Sequence, residues 1–161
     1  MAVAIICTTI VVGVHNVTQP ILDAKAKSLV EDSIKMMYPN LKDFKISNKK
    51  FESKYLEGLF EVEDNDGKKY NVYQTSAMGK VDFVKMLVSV DENLVINNLL
   101  FTQMKETKGI GTKLSEPEYI DKLIGQNTSE LKVDGVTGAT YTSEAVKVSL
   151  EAVASDIGGK K

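Results

Sequence analysis

Apolar and polar positions along this chain change rhythm several times, and each rhythm predicts an element. Residues 2–14 read AVAIICTTIVVGV, an apolar run. From Pro20 to Tyr38, Leu22, Ala26, Leu29, Val30, Ile34 and Met37 recur at helical spacing. That pattern predicts an amphipathic helix ended by Pro39-Asn40. Tyr55–Val62 and Lys69–Gln74 flank Asp64-Asn65-Asp66-Gly67, which reads as a hairpin turning at Asp66-Gly67. Val81–Val90 alternates as a long strand, and Asp91-Glu92-Asn93 turns it into a second strand, Leu94–Met104. Glu116–Gly125 reads as a short helix with Pro117 near its start. Thr142–Ile157 reads as a further helix, with Ala145, Val148, Ala152 and Val153 on one face, stopped by Gly158-Gly159. Helix, hairpins, then helices is an α+β order and not a repeating βαβ one. The expected sheet is antiparallel with flanking helices, in a single domain.

The first run has its own reading. Residues 2–14 would span about 20 Å as a helix, short of the roughly 30 Å hydrocarbon core. Continuing to Leu22 brings the length to about 33 Å, with Asn16, Thr18, Gln19 and Pro20 forming an interfacial end. A cleaved signal peptide would want a basic start and a small-residue cleavage site, and both are lacking. A lipoprotein anchor at Cys7 would want a small residue before it, where Ile6 stands. A buried strand or core helix is the bland alternative. The favoured expectation is a single transmembrane anchor over 1–22, whose span could start upstream of Met1, and a domain over 23–161.

Composition narrows the chemistry. The 161 residues are 43% hydrophobic and 26% charged, the balance of a folded protein. A net charge of -2 argues against a nucleic-acid partner, which wants a basic face. All 20 basic residues are Lys, so the bidentate guanidinium fork is missing. Any anion site must use Lys, hydroxyls, backbone N–H groups and helix N-termini. One Cys excludes an internal disulfide, and one His excludes a His-rich metal site. Every formally charged residue lies at or beyond Asp23, which agrees with an anchor before it.

Two stretches carry candidate chemistry. The first is Asp134-Gly135-Val136-Thr137-Gly138-Ala139-Thr140-Tyr141-Thr142-Ser143, a small-residue loop rich in Thr and Ser hydroxyls that runs into a helix. Small residues allow close backbone approach, and the helix start welcomes a phosphate. By composition alone, ordinary capping and turn chemistry explain it as well. The order of its residues resembles the flavinylation motif D-x-x-[ST]-G-A-T-x-[ST] of the FMN-binding domain family. Members include flavin-bearing subunits of the Rnf electron-transport complex and of the sodium-pumping NADH:quinone reductase. Asp134, Thr137, Gly138, Ala139, Thr140 and Thr142 match every specified position. The resemblance implies that Thr142 is esterified to the phosphate of FMN by a flavin transferase that uses FAD. It implies that Gly138, Ala139 and Thr140 surround the attachment, and that Asp134 helps the transferase recognise the site.

The second stretch is Met104-Lys105-Glu106-Thr107-Lys108-Gly109-Ile110-Gly111-Thr112-Lys113. Two glycines just after a strand make a backbone loop that can lie against a planar ligand, although a ligand-free turn looks the same. It is similar to the family segment H-x-E-T-P-G-L-G, which contributes to the flavin pocket. Glu106, Thr107, Gly109 and Gly111 match, and Ile110 replaces Leu. Met104 stands where His is usual and Lys108 where Pro is usual. A weaker echo, His15-Asn16-Val17-Thr18-Gln19-Pro20-Ile21, is similar to the stretch that follows the transmembrane helix in the Rnf members of the family.

Taken together, the resemblance implies a membrane-anchored electron-transfer flavoprotein with covalent FMN on Thr142. The flavin environment would come from the Glu106–Gly111 loop and from near Tyr141. The implied partners are other membrane subunits of an Rnf-type complex and, during maturation, the flavin transferase. The implied location is the cell membrane, single-pass, with the flavin domain on the extracytoplasmic side. A stand-alone anchored flavoprotein in extracellular electron transfer is the alternative within the family, and a flavin-free membrane-tethered binding module the alternative outside it. Met36-Met37 reads as packing, Asp64 and Asp66 as turn residues, and Lys49-Lys50 and Lys68-Lys69 as solvated charges.

Overall fold

A computed structural model of the chain describes residues 28–158. The expected anchor over 1–22, with Cys7 and His15, lies outside the described residues. Among the described residues, no helix is long and apolar enough to cross a membrane. The chain divides into two compact units, Met1–Met36 and Met37–Lys161.

Of the first unit, the described part is most of a helix, α1, over residues 28–37. Ile34 and Met37 are buried, as their spacing predicts, and Met36 between them is exposed; Leu29, expected on the buried face, is exposed as well. Glu31 and Lys35 form an i,i+4 pair on its exposed side.

The second unit is built on a five-stranded antiparallel sheet whose spatial order is its chain order. The strands are β1 (Leu41–Ser47), β2 (Leu56–Asp64), β3 (Lys69–Met78), β4 (Phe83–Asp91) and β5 (Ile96–Gln103). A 3-10 turn (Gly111–Ser115), helix α2 (Pro117–Leu123), a second 3-10 turn (Thr128–Glu130) and helix α3 (Thr140–Gly158) follow. The α+β class with an antiparallel sheet is therefore as expected.

Local chemistry explains the turns. Between β2 and β3, the Asp64 carboxylate accepts from the N–H groups of Asp66 and Lys68, and Gly67 takes φ +78°. A left-handed φ is open to glycine without a Cβ clash, so Asp66-Gly67 turns the hairpin. Between β4 and β5, Asp91 does the same for Asn93 and Val95.

The core lies where α3 packs on the sheet, chiefly over β3 and β4. Tyr73, Met86, Val88, Leu114, Val146 and Leu150 are almost wholly buried in it. Burying each such side chain contributes about 1.5–3 kcal/mol. The far end of α3 is fastened by Asp156, whose carboxylate pairs with the Lys49 ammonium and accepts from the Tyr73 hydroxyl at 3.0 Å. Lys49 is thus a structural ion-pair partner and not a solvated charge. Burial, with Asp156 beside it, raises the Tyr73 phenol well above its ordinary value. These contacts fix α3 on the sheet and so fix the position of its first turn.

Candidate functional site

Two segments distant in sequence meet at the first turn of α3. Leaving β5, the chain passes Met104 and Lys105 and places Glu106 half-buried. The Thr107 carbonyl then accepts from the N–H groups of Ile110 and Gly111, closing a tight exposed loop. Gly109 sits in it at φ +75°, with its N–H donating to Thr112 Oγ1 at 2.9 Å. On the other side, Ala139 N–H donates to the Val136 carbonyl across a turn in which Gly138 takes φ +83°. Ser143 N–H donates to the Ala139 carbonyl as the helix begins, and Ser143 Oγ accepts from Val136 N–H at 3.0 Å.

Between the two segments, Thr142 Oγ1 donates to Glu106 Oε2 at 2.8 Å. The Glu106 carboxylate also accepts from the backbone N–H groups of Lys80 at 3.3 Å, Val81 at 3.1 Å and Asp82 at 3.4 Å. Those three belong to the β3–β4 turn. Burial on its own pushes the Glu106 carboxyl up. The N–H of Val81, the Thr142 hydroxyl and the N–H groups of Asp82 and Lys80 outweigh burial and hold it below the usual carboxylate range.

Two glycines make room for this carboxylate. A Cβ on Gly79 would lie 2.5 Å from Glu106 Oε1. A Cβ on Gly111 would lie 2.7 Å from Glu106 Cβ and 3.1 Å from Thr142 Oγ1. Both glycines are buried.

A cleft of about 180 Å³ opens beside the pair, lined by Lys80, Glu106, Thr107, Ile110, Gly111 and the run Gly138–Thr142. At its floor α3 begins with Thr140, so Ala139 occupies the cap position and offers no side-chain oxygen to the first N–H groups. Those donors, the positive end of a nineteen-residue helix and the Lys80 side chain suit an anionic group. The ionised Glu106 restricts where that anion can sit. Tyr141 and Ile110 are exposed at 68% and 42%, leaving apolar surface at the rim for a flat ligand.

Most of the residues singled out from sequence converge here. Glu106, Thr107, Ile110, Gly111, Gly138, Ala139, Thr140, Tyr141 and Thr142 all line the cleft. Gly109, Thr137 and Asp134 do not. Gly109 shapes the loop, and Thr137 faces a neighbouring cleft with Ser143 and Lys147. Asp134 is exposed, and its carbonyl accepts from the Tyr119 hydroxyl at 2.8 Å. Burial, with the Asp134 charge near it, pushes that phenol up to about 12. Thr142 is the third residue of the helix instead of its first, and it is 1% exposed. The β3–β4 turn, Gly79-Lys80-Val81-Asp82, belongs to the site although no sequence motif marks it. Its one trace in the sequence is a Gly-Lys pair between two strands.

Comparison with known proteins bears on this geometry. Residues 79–155 match the family model of the FMN-binding domain. The chain carries an FMN-binding domain. The match runs from the β3–β4 turn into α3, ending at residue 155, so it takes in every residue that lines the cleft. No curated protein matches the chain by sequence. Among solved structures, a subunit of the Na⁺-translocating NADH-quinone reductase from Parabacteroides distasonis shares the fold of this FMN-binding domain. The TM-score is 0.56 over 81% of each chain, at 18% identity. At that identity the likeness speaks for the fold alone.

Proposed function

We propose that this chain is a membrane-anchored electron-transfer flavoprotein carrying FMN on Thr142 through a phosphoester bond. The observation that carries the reading is the convergence of both candidate motifs on one hydroxyl, Thr142 Oγ1, at the floor of a cleft at a helix N-terminus. FMN supplies the redox chemistry when bound, and the protein holds and orients it. An ester on Thr142 places the phosphate at the first turn of α3, where the Thr140 and Tyr141 N–H groups and Lys80 are the available donors. With no Arg in the chain, those are the donor types that remain. Tyr141 and Ile110 offer apolar surface to the ring at the rim. A covalent tether keeps the flavin at high effective concentration and prevents its loss.

The setting proposed is an Rnf-type ion-translocating ferredoxin:NAD oxidoreductase complex, with residues 1–22 as the anchor and 23–161 as the flavin domain outside the cytoplasm. The fold shared with one component of a Na⁺-translocating NADH-quinone reductase supports that setting. Thr142 is 1% exposed, so attachment requires the exposed loop 107–110 to yield to the transferase. The test is co-expression with a flavin transferase. The wild type should show denaturation-resistant yellow fluorescence and a mass gain of FMN minus water, and Thr142→Ala should show neither. Covalent flavin persisting on Thr142→Ala refutes the attachment site, and a wild type that never gains flavin refutes the flavoprotein reading.

A further inference from the structure

We propose that Glu106 is the proton acceptor for Thr142 when the flavin is attached, so that the acceptor protein supplies the general base for its own modification. This rests on the proposed attachment at Thr142.

The geometry supports it in three ways. The Thr142 hydroxyl has one proton, and it points at Glu106 Oε2 across 2.8 Å. That is hydrogen-bond reach for a general base. The hydroxyl belongs to a residue that is 1% exposed, so a base carried by a separate enzyme would first have to displace Glu106. The carboxylate is also held in place, by the N–H groups of Lys80, Val81 and Asp82 and by the space left at Gly79 and Gly111. A base so fixed needs little reorganisation as the reaction proceeds.

The step balances without an oxidant or reductant. FAD is the co-reactant. Thr142 Oγ1 attacks the phosphorus on the FMN side of the pyrophosphate, and an Oγ–P bond forms. The P–O bond to the adenylate half breaks, and AMP departs with that electron pair. The Oγ1 proton passes to Glu106 Oε2. The carboxyl is ionised at neutral pH and therefore ready to accept. As a weak base it takes the proton only as the Oγ–P bond forms and the hydroxyl becomes acidic.

The experiment follows loading of the full 161-residue chain by intact mass, with purified flavin transferase and FAD. E106Q should lower the kcat for flavin incorporation by about 100-fold or more, the range of general-base catalysis, with KM for the chain changed by only a few-fold. E106D keeps a carboxylate on a shorter stem and should recover part of the lost kcat. It also carries the test if E106Q melts below the assay temperature. If both variants load within threefold of wild type, or if the loss lies wholly in KM, the proposal is overturned while Thr142 stands as the acceptor. If the wild type takes no flavin, or T142A does, the attachment reading falls and this proposal with it.

Discussion

Gly109 and Gly111 stand two apart in one loop, and the structure predicts that alanine fails at each for a different reason. At Gly111 the backbone needs no left-handed φ, and the obstacle is space. The added Cβ would lie 2.7 Å from Glu106 Cβ and 3.3 Å from Glu106 Oε2. Ordinary carbon contacts lie at about 3.5–4.0 Å. A Cβ cannot rotate away, so relief requires the Glu106 backbone to move and its carboxylate to lose Thr142 or the β3–β4 turn. Overpacking costs about 1–3 kcal/mol, and losing a hydrogen bond to a charged group about 1.5–3 kcal/mol. G111A should therefore lose about 2.5–6 kcal/mol, a large share of a total stability of about 5–15 kcal/mol. At Gly109 nothing lies within 4 Å of the added Cβ, but φ is +75°. The strain there is about 1–2 kcal/mol, and G109N should recover much of it because Asn tolerates that region. Equilibrium urea unfolding measures both. With an m-value of about 2 kcal/mol/M, the G111A midpoint should fall by about 1.2–3 M and that of G109A by no more than about 1 M. Flavin loading should survive G109A and fail in G111A. A G111A protein within about 0.5 kcal/mol of wild type, or less damaged than G109A, would refute this account of how Glu106 is held.

Further outcomes follow from the same contacts. Because the folded Glu106 carboxyl is held below its ordinary value, its contribution to stability is full above the unfolded value of about 4.3–4.5 and drains away as pH falls through the depressed value. Thermal melts of flavin-free chain from pH 7 to pH 3 should show that acid loss, and E106Q should show a shallower one across the same window. Asp156→Ala strands the Lys49 ammonium and the Tyr73 hydroxyl at a half-buried position and should cost about 2–3 kcal/mol by urea unfolding. Tyr73→Phe removes one partner only and should cost about 1 kcal/mol.

Much of the fold was legible because periodicity and turn chemistry agreed. The β2–β3 hairpin with its Asp66-Gly67 turn, the β4–β5 pair and α2 all lie within a few residues of their expected places. Strand β1 was invisible for a physical reason. A bulge between Leu41 and Asp43 breaks its register, and Ile46 is half-exposed, so no alternation is left to read. Helix α3 begins at Thr140, two residues before the expected Thr142, because a run of hydroxyl residues does not mark which one enters the helix. Both halves of the candidate site were visible as motifs, but the bond between Glu106 and Thr142 was not. The two lie 36 positions apart, and only the packing of α3 on β3 and β4 joins them. Likewise, nothing near Lys49 announces Asp156, 107 positions on.

The order of the strands in space is also the order of their synthesis. Each hairpin closes a short loop, so the sheet can assemble progressively as chain is made, with little loop-closure entropy to overcome. Thr142 cannot share in that early assembly. It sits on α3, which follows all five strands, and it reaches Glu106 only after the helix has docked on the finished sheet. On the proposed reading, a chain that stalls or is cut before α3 offers the transferase no hydroxyl. Attached flavin would then serve as a certificate of completed folding, and yellow colour in a cell would count finished molecules instead of synthesised ones.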